Sequence, residues 1–365
     1  MKHTKKIFVL SIMFFFTFLL IIFFKQNPLL LEEFYSTGFN KKTIELLSTL
    51  SGQLSFSVHE ILLILLVGSL LIYTIKTIRK LYLIKEKRKQ IIASFLLKIV
   101  IVFSVTFLLF QALWGFNYYR TPFERELFLT KDEYSLQDLL ELYSYLAEEA
   151  NDLRTKVEED KNGIMTINES GKNLLKRAPL GYTNAANDYK EIGGKYHHPK
   201  PILLSPLLSY TGITGVYSPF TGEANVNIHI PKMSIPVTAM HELAHQRGFA
   251  SEDEANFIAF LTCTYHPDVD YQYSGYLLAL SYTGNEIYSL DEEAYQEVKN
   301  LLSQDILNDM SVKYEYWEKH EGLIERFSNK VNDTYLKANG VSEGVESYSL
   351  VVQYLLGYYQ HINKN

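Results

Sequence analysis

Apolar residues are concentrated in the first third of the chain, where they form three long runs separated by polar segments. The first run covers residues 7–24 and is interrupted only by Ser11 and Thr17. The second and third cover about residues 57–75 and 93–116. Because about 20 apolar residues cross the ~30 Å hydrocarbon layer of a bilayer, each run predicts a transmembrane helix. We therefore expect residues 1–119 to form a membrane domain with three spans.

The first run has a second interpretation, a secretory signal peptide that is removed after export. The run is longer than the apolar region of a typical signal peptide, and the residues after it, Lys25 to Pro28, lack the small side chains of a cleavage site. We therefore expect an uncleaved membrane anchor.

Basic residues predict the orientation of the spans. Lys2 and its neighbours precede the first run, and lysines and arginines crowd the connection from Lys76 to Lys89, whereas the loop between the first two runs has mixed charge. The positive-inside rule places the N-terminus and the basic connection in the cytoplasm. Trp114 and Tyr118 follow the third run as an aromatic belt at the opposite face. We expect a multi-pass cell-membrane protein whose residues 120–365 form an extracytoplasmic domain.

Weaker patterns describe this outer domain. Residues 134–157 show helical spacing of apolar positions, and residues 224–230 alternate apolar and polar side chains as strands do. A helix is predicted after Pro236, and most of the remaining chain also has helical spacing. The predicted fold is therefore mainly α, with a small sheet in an α+β outer domain.

Charge and cysteine content exclude several classes of protein. The net charge is −6 and the pI is about 6.0, so no basic surface for nucleic acid is indicated. Cys263 is the single cysteine, which excludes a disulfide framework and a cysteine-based zinc cluster.

The segment after Pro236 contains the pattern His-Glu-x-x-His, formed by His241, Glu242 and His245. Residues four apart share one face of a helix, so both imidazoles can point at one Zn²⁺. Glu242 is then placed to accept a proton from zinc-bound water. Catalytic zinc takes three protein ligands and keeps one open position, so a third ligand must come from elsewhere.

Two carboxylates compete for the third position, Glu252 and Glu254. Ser251 and Glu254 match a capping box at the start of the next helix, which would occupy Glu254 and leave Glu252 free for the metal. A simple antiparallel arrangement of the two helices, however, would bring Glu254 level with the histidines. The residues favour Glu252 and keep Glu254 as the alternative.

The pattern from His241 to His245, followed by Glu252 to Asn256, resembles the gluzincin metallopeptidases, whose zinc helix is followed by a Glu-x-x-Ala-Asp or Glu-x-x-Ala-Asn helix. That resemblance implies a zincin-like domain in which Glu252 binds zinc and Asn256 supports the ligands. The whole chain resembles the bacterial membrane family DUF3810. The motifs shared with that family are Trp114 to Tyr118, Ser218 to Asn225 and the site itself.

The predicted strand before the zinc helix offers a surface for substrate. HExxH peptidases bind an extended peptide along an edge strand beside this helix. On this interpretation Glu223, Asn225 and Asn227 would contact the substrate. An oxyanion donor could come from one of several tyrosines, namely Tyr217, Tyr271, Tyr273 and Tyr276.

The sequence thus predicts a membrane-anchored zinc metallopeptidase that hydrolyses peptides or proteins of the cell envelope, with the lipid bilayer as its other partner. Intramembrane proteolysis is disfavoured because Arg247 and the acids after it are expensive in lipid. The alternative is a metal-binding membrane sensor or scaffold without general proteolytic activity. Glu242 argues against it, since a structural metal site needs no base and has four ligands.

The predicted topology has a direct test with reporter fusions. A reporter that is active only in the cytoplasm should be silent when fused after Asn365 and active when fused after Lys87 in the basic connection. A cytoplasmic signal from the fusion after Asn365 would contradict the predicted orientation.

Overall fold

The apolar third of the sequence folds into helices joined by short turns in the computed structural model, which describes residues 2–123, 134–338 and 348–364. The two internal gaps lie in the predicted outer domain. The N-terminal elements are α1 (Lys2–Gln26), α2 (Pro28–Leu30), a π-helical segment (Leu31–Asn40), α3 (Lys41–Gly52), α4 (Val58–Leu83), a 3-10 turn (Lys85–Lys87), α5 (Arg88–Leu113) and a second 3-10 turn (Gly115–Tyr119).

Among the described helices, α4 and the stretch Lys85–Leu113 that contains α5 are long and apolar enough to cross a membrane. The helices on either side of Asn27 form a pair bent by 108°, which makes a third candidate if the pair is one span. Phe14 stacks on Phe107 with 5.3 Å between ring centroids, so the first apolar run packs beside the third. The predicted arrangement of three spans stays a prediction.

The segment between the first two apolar runs, which the sequence suggests is a loop, is helical and closes the end of α5. The Tyr35 hydroxyl donates to the carbonyl of Ala112 at 3.1 Å, and the Asn40 amide donates to the carbonyl of Leu113 at 2.6 Å. The last carbonyls of a helix have no partner within the helix, so these two side chains satisfy groups that would otherwise be left unpaired.

The rest of the chain is also mainly helical. The elements are α6 (Leu136–Arg154), α7 (Gly171–Arg177), α8 (Pro179–Ala185), a 3-10 turn (Lys190–Ile192), β1 (Lys200–Pro201), α9 (Ser205–Ser209), β2 (Gly215–Ser218), β3 (Glu223–Val226), a 3-10 turn (Lys232–Ser234), α10 (Ile235–Gln246), α11 (Glu252–Thr264), α12 (Val269–Leu290), α13 (Glu292–Lys299), α14 (Gln304–Glu318), α15 (Leu323–Ala338) and α16 (Tyr348–Lys364).

Three short strands form the sheet found within residues 134–338, in the order β1-β3-β2. β3 lies in the middle, parallel to β1 and antiparallel to β2, so the prediction that this strand is an edge is wrong. It is also shorter than predicted and ends at Val226. The Asn227 side chain accepts from the backbone N–H of His229 at 2.9 Å, and this local turn ends the strand. β1 and β2 are the two outer strands of the described sheet, and β2 is the one that packs with β3 against α10.

Helix α10 is the centre of the domain formed by the described residues from Tyr134 onward. It begins at Ile235 with Pro236 in the first turn, where the missing N–H of proline costs nothing. Every residue of α10 except His241 is buried, because α11 and α12 cover one side and β2 and β3 cover the other. A helix fixed on both sides holds its side chains in one orientation, which suits a site built on it.

Charged side chains attach this domain to the start of α4. Glu223 accepts from the backbone N–H groups of Val58 at 3.1 Å and His59 at 2.8 Å, and it pairs with Lys200 at 2.5 Å. Both side chains of the ion pair are buried. Glu60 accepts in the other direction, from the N–H groups of Leu203 and Leu204. The amides at a helix N-terminus favour a negative partner, so the sheet and α4 fix each other.

Removing one member of the buried pair should be costly. Glu223→Ala leaves the Lys200 ammonium buried without its counter-charge, and we expect a loss of about 3–5 kcal/mol in the free energy of unfolding. Asp152→Ala, which breaks the exposed pair with Lys156, should cost less than about 1 kcal/mol. Thermal unfolding of the detergent-solubilised chain compares the two, and equal melting temperatures would contradict the proposed anchoring.

Candidate metal centre

Three ligand side chains converge at the junction of α10 and α11. His241 and His245 lie one turn apart on α10, and Glu252 is the first residue of α11. The Nε2 atom of His241 lies 3.3 Å from one Glu252 carboxylate oxygen, and that of His245 lies 3.7 Å from the other. One ligand atom from each residue lies within 4.8 Å of the others, so the group could hold a metal ion.

Oxygen acceptors orient both imidazoles. His241 Nδ1 lies 2.9 Å from the Asn256 side-chain oxygen, and His245 Nδ1 lies 2.7 Å from the carbonyl oxygen of Phe249. The Asn256 amide in turn donates to the Tyr282 hydroxyl at 2.8 Å. Because each Nδ1 must donate to its oxygen, both Nε2 atoms face the cluster, the arrangement seen around metal-binding histidines. Asn256 thus lies where the gluzincin resemblance implies.

Glu254 points away from the cluster. Its carboxylate accepts from the backbone N–H of Phe123 at 2.5 Å, and burial raises its pKa to about 7. The predicted capping box is wrong, because the Ser251 hydroxyl makes no capping bond to α11 and lies 3.5 Å from the Asp253 carboxylate. The buried N–H of Phe123 needs an acceptor, and Glu254 meets that need. The structure brings Glu252, and not Glu254, to the histidines.

Electrostatics couple the three side chains of the cluster. Burial lowers the pKa of His245, but the Glu252 carboxylate outweighs burial and raises the pKa to about 9. Burial likewise raises the pKa of Glu252, yet the two imidazoles hold it well below its usual range. The cluster therefore combines a carboxylate with an imidazolium, and a metal ion has to displace a proton when it binds.

Glu242 lies on the same helix, beside the cluster but outside it. Its side chain is buried, and its Oε2 atom finds no hydrogen-bond partner among the described residues. Burial raises its pKa to about 6. Gly215 of β2 passes so close that an added Cβ atom would lie 2.5 Å from the Glu242 Oε1 atom. Glycine at this position lets the edge strand approach the carboxylate.

A cleft of about 820 Å³ opens over these groups. Its walls come from α10, from β2 with its flanking loops, from α15 and from the ends of α4 and α5. The Trp114 ring stands edge-on to the His245 ring at 5.8 Å and packs on Tyr217 at 4.9 Å. The site is thus an open groove with one aromatic wall, of a size suited to a substrate.

The three residues predicted to bind substrate lie outside the cleft, so that prediction is wrong. Glu223, Asn225 and Asn227 are buried in and after the central strand. The Asn225 amide donates to the Val216 carbonyl at 3.2 Å, and the Asn227 amide donates to the Ser209 hydroxyl at 3.1 Å. Their side chains hold the sheet together and do not line the cleft. The strand that lines the cleft is β2, with Gly215 to Ser218.

Among the four candidate tyrosines, Tyr217 lines the cleft. The hydroxyls of Tyr271, Tyr273 and Tyr276 bond instead to Leu174, Asp309 and Tyr145 in the core.

Sequence reasoning missed a different pair at the cleft wall. The Tyr118 hydroxyl donates to that of Tyr335 at 3.0 Å. Tyr118 could have been predicted because it belongs to the Trp114–Tyr118 motif. No motif in the sequence includes Tyr335.

Comparison with known proteins identifies the family of this chain. The chain belongs to the family described as "Protein of unknown function (DUF3810)", whose family model matches residues 35–356. The match includes α4, α5 and the whole metal-ligand cluster. No curated protein matches the chain, and no solved structure matches it. The family membership confirms the resemblance of the sequence to DUF3810 and brings no activity with it.

The geometry of the cluster predicts that metal binding depends on Glu252 and not on Glu254. His241→Ala and Glu252→Ala should each reduce the bound metal of the purified chain severely, whereas Glu254→Ala should retain it because that carboxylate serves Phe123. Asn256→Ala should weaken metal affinity by roughly 10–100-fold through loss of the His241 contact. Metal titration with elemental analysis gives both results. Loss of metal in Glu254→Ala together with retention in Glu252→Ala would reverse the assignment.

Proposed function

We propose that this chain is a membrane-anchored zinc metallopeptidase that hydrolyses polypeptides of the cell envelope. The observation that carries the proposal is the position of Glu242. Its carboxylate is buried, with no partner for Oε2 within the described ranges, immediately beside three converging side chains that could hold a metal and on the wall of an open cleft. A buried carboxylate oxygen without a hydrogen-bond partner is costly, and its position next to candidate ligands is typical of a group with a chemical role.

The donor set suits zinc. Two imidazole nitrogens and one carboxylate oxygen form the three-ligand set of catalytic zinc sites, and each imidazole is held by an oxygen acceptor on its other nitrogen. When bound, Zn²⁺ supplies Lewis acidity toward a peptide carbonyl and lowers the pKa of a coordinated water. Other divalent ions share these ligand preferences, so the choice of zinc rests on the resemblance to the gluzincin pattern.

The remaining chemistry belongs to side chains of the chain. Glu242 accepts a proton from the attacking water and delivers it to the leaving amine. Burial raises the pKa of Glu242 to about 6. A carboxylate with a pKa near neutral pH can both accept a proton and release it again. The free edge of β2 can pair with an extended peptide, and Gly215 at its start brings that peptide backbone close to Glu242.

The membrane location and orientation are part of the proposal. α4 starts beside the site and ends at Leu83, so the basic connection lies at the far end of the helix pair. A cytoplasmic basic connection then gives an extracytoplasmic site, as the positive-inside rule requires. The substrates would be peptides or proteins of the cell envelope.

Substitution of the proposed base tests the function. Glu242→Gln keeps the size of the side chain but cannot accept a proton near neutral pH, so peptide cleavage should fall at least about 10²–10⁴-fold. Bound zinc and thermal stability should be close to wild type because all three ligands remain. The measurement is cleavage of a peptide library by the reconstituted chain, beside its zinc content.

Glu297→Gln, on the exposed side of α13, is the matched control and should behave as wild type. Equal cleavage by wild type and Glu242→Gln, with zinc retained in both, would rule out the hydrolase. It would leave the metal-binding sensor or scaffold as the function.

A further inference from the structure

The cleft is continuous with the end of the membrane helices. Phe110 lies inside the apolar stretch of α5, Trp114 follows its last residue, and His59 is the second residue of α4. All three line the same cleft as His241 and Glu242. Four residues of helix rise about 6 Å, and the Trp114 ring touches His245, so the cluster lies on the order of 10–15 Å from the level of Phe110.

Polar contacts fix the position of the cluster relative to the end of α5. Arg120, just after α5, pairs with Glu32 of the bent segment at 2.5 Å, and a second guanidinium nitrogen lies 3.5 Å from the Arg247 carbonyl at the end of α10. Glu223 ties the sheet to the first amides of α4. Helix α10 and the sheet beside it are therefore attached to the segment after α5 and to the start of α4, so the position of the cluster relative to the ends of these two helices is fixed by the fold.

The cleft wall formed by α15 carries a row of exposed apolar side chains beside the polar Ser328, Asn329 and Asn332. Ile324, Phe327, Val331 and Tyr335 are spaced to lie on one face of α15, and all four line the cleft. Their exposed fractions are 62%, 70%, 52% and 37%. The row ends where the Tyr335 ring meets Phe110 of α5, with 6.0 Å between centroids. The apolar surface therefore continues from the membrane helix into the cleft, and an exposed patch of this kind marks a binding surface.

We propose that the cleft binds the juxtamembrane segment of a membrane-anchored polypeptide. The substrate's own apolar span would lie in the bilayer near Phe110, and its next residues would run extended between β2 and the apolar row of α15. An extended chain rises about 3.3 Å per residue, so the residue at the metal cluster would lie about three to five positions from the substrate's span. The proposal rests on the proposed function for the cleavage step, but the binding step can be measured separately.

The test uses the full chain in liposomes together with single-span peptides. Each peptide carries one photoreactive residue at about 5, 10 or 20 positions from its apolar segment, which corresponds to roughly 16, 33 or 66 Å of extended chain. Glu242→Gln keeps the substrate intact, and wild-type chain treated with a chelator repeats the measurement without that substitution. We expect photo-crosslinking at the shortest spacing to exceed that at the longest by at least about tenfold.

Substitution of the apolar row locates the binding surface. Phe327→Ser should lower crosslinking at the shortest spacing by roughly tenfold, because a bound peptide would bury this aromatic side chain. Tyr314→Ser on α14 is the matched control, since Tyr314 is 69% exposed against 70% for Phe327 and lies outside the cleft. The control should crosslink as the parent does.

Several outcomes would overturn the proposal. Equal crosslinking at all spacings, or equal loss in Phe327→Ser and Tyr314→Ser, would show that the cleft does not select juxtamembrane segments. Release of fatty acid from the liposomes, or crosslinks within the chain itself in place of the peptide, would assign the cleft to a lipid or to the chain's own segment.

Whether the wild-type chain cleaves the peptide distinguishes the binding proposal from the proposed peptidase function. Selective crosslinking to Glu242→Gln, with the same peptide left intact by zinc-loaded wild type, would support the binding proposal and remove the peptidase. Cleavage of soluble and long-spacer peptides as fast as short-spacer ones would support the peptidase and overturn the binding proposal.

Discussion

The tight turn between α10 and α11 is the constraint on which the site depends. Gly248 adopts a φ of +86°, a conformation that costs a residue with a side chain roughly 1–2 kcal/mol. The turn lets α11 fold back beside α10, which puts Glu252 next to the histidines. It also points the Phe249 carbonyl at His245 Nδ1, so the same few atoms position one ligand and orient another.

The turn is fixed from both sides. The Arg247 side chain is buried between the rings of Tyr182 and Tyr196, at 3.7 and 4.7 Å from their centroids, and donates to the Ile192 carbonyl. On the other side, the Arg120 guanidinium lies 4.2 Å from the Phe249 ring. The two rings, the carbonyls of Ile192 and Leu243 and the charge of Glu45 together stabilise the buried Arg247 cation, which fixes the chain just before Gly248.

The parts of the site that could be predicted are those that depend on short spacing. A four-residue interval on a helix fixes His241 and His245 relative to each other, and a short connection brings in Glu252. The order of strands in the sheet depends on distant pairing, so alternation around Asn225 indicated a strand but not that β2 would take the edge. The apolar row of α15 reaches the cleft from about 80 residues further along the chain. Its amphipathic pattern predicts a helix with one apolar face, but it does not show which surface that face meets.

The attachment of Glu223 to the first amides of α4 also bears on how the protein is made. The two partners are separated by 165 residues in the sequence. At ~5–20 residues per second, the ribosome needs roughly 10–30 seconds to synthesise the intervening chain. α4 therefore leaves the ribosome well before its counter-charge exists. The contact between the sheet and the first amides of α4 can form only once Glu223 has been synthesised, so α4 can become helical before the sheet that attaches to it.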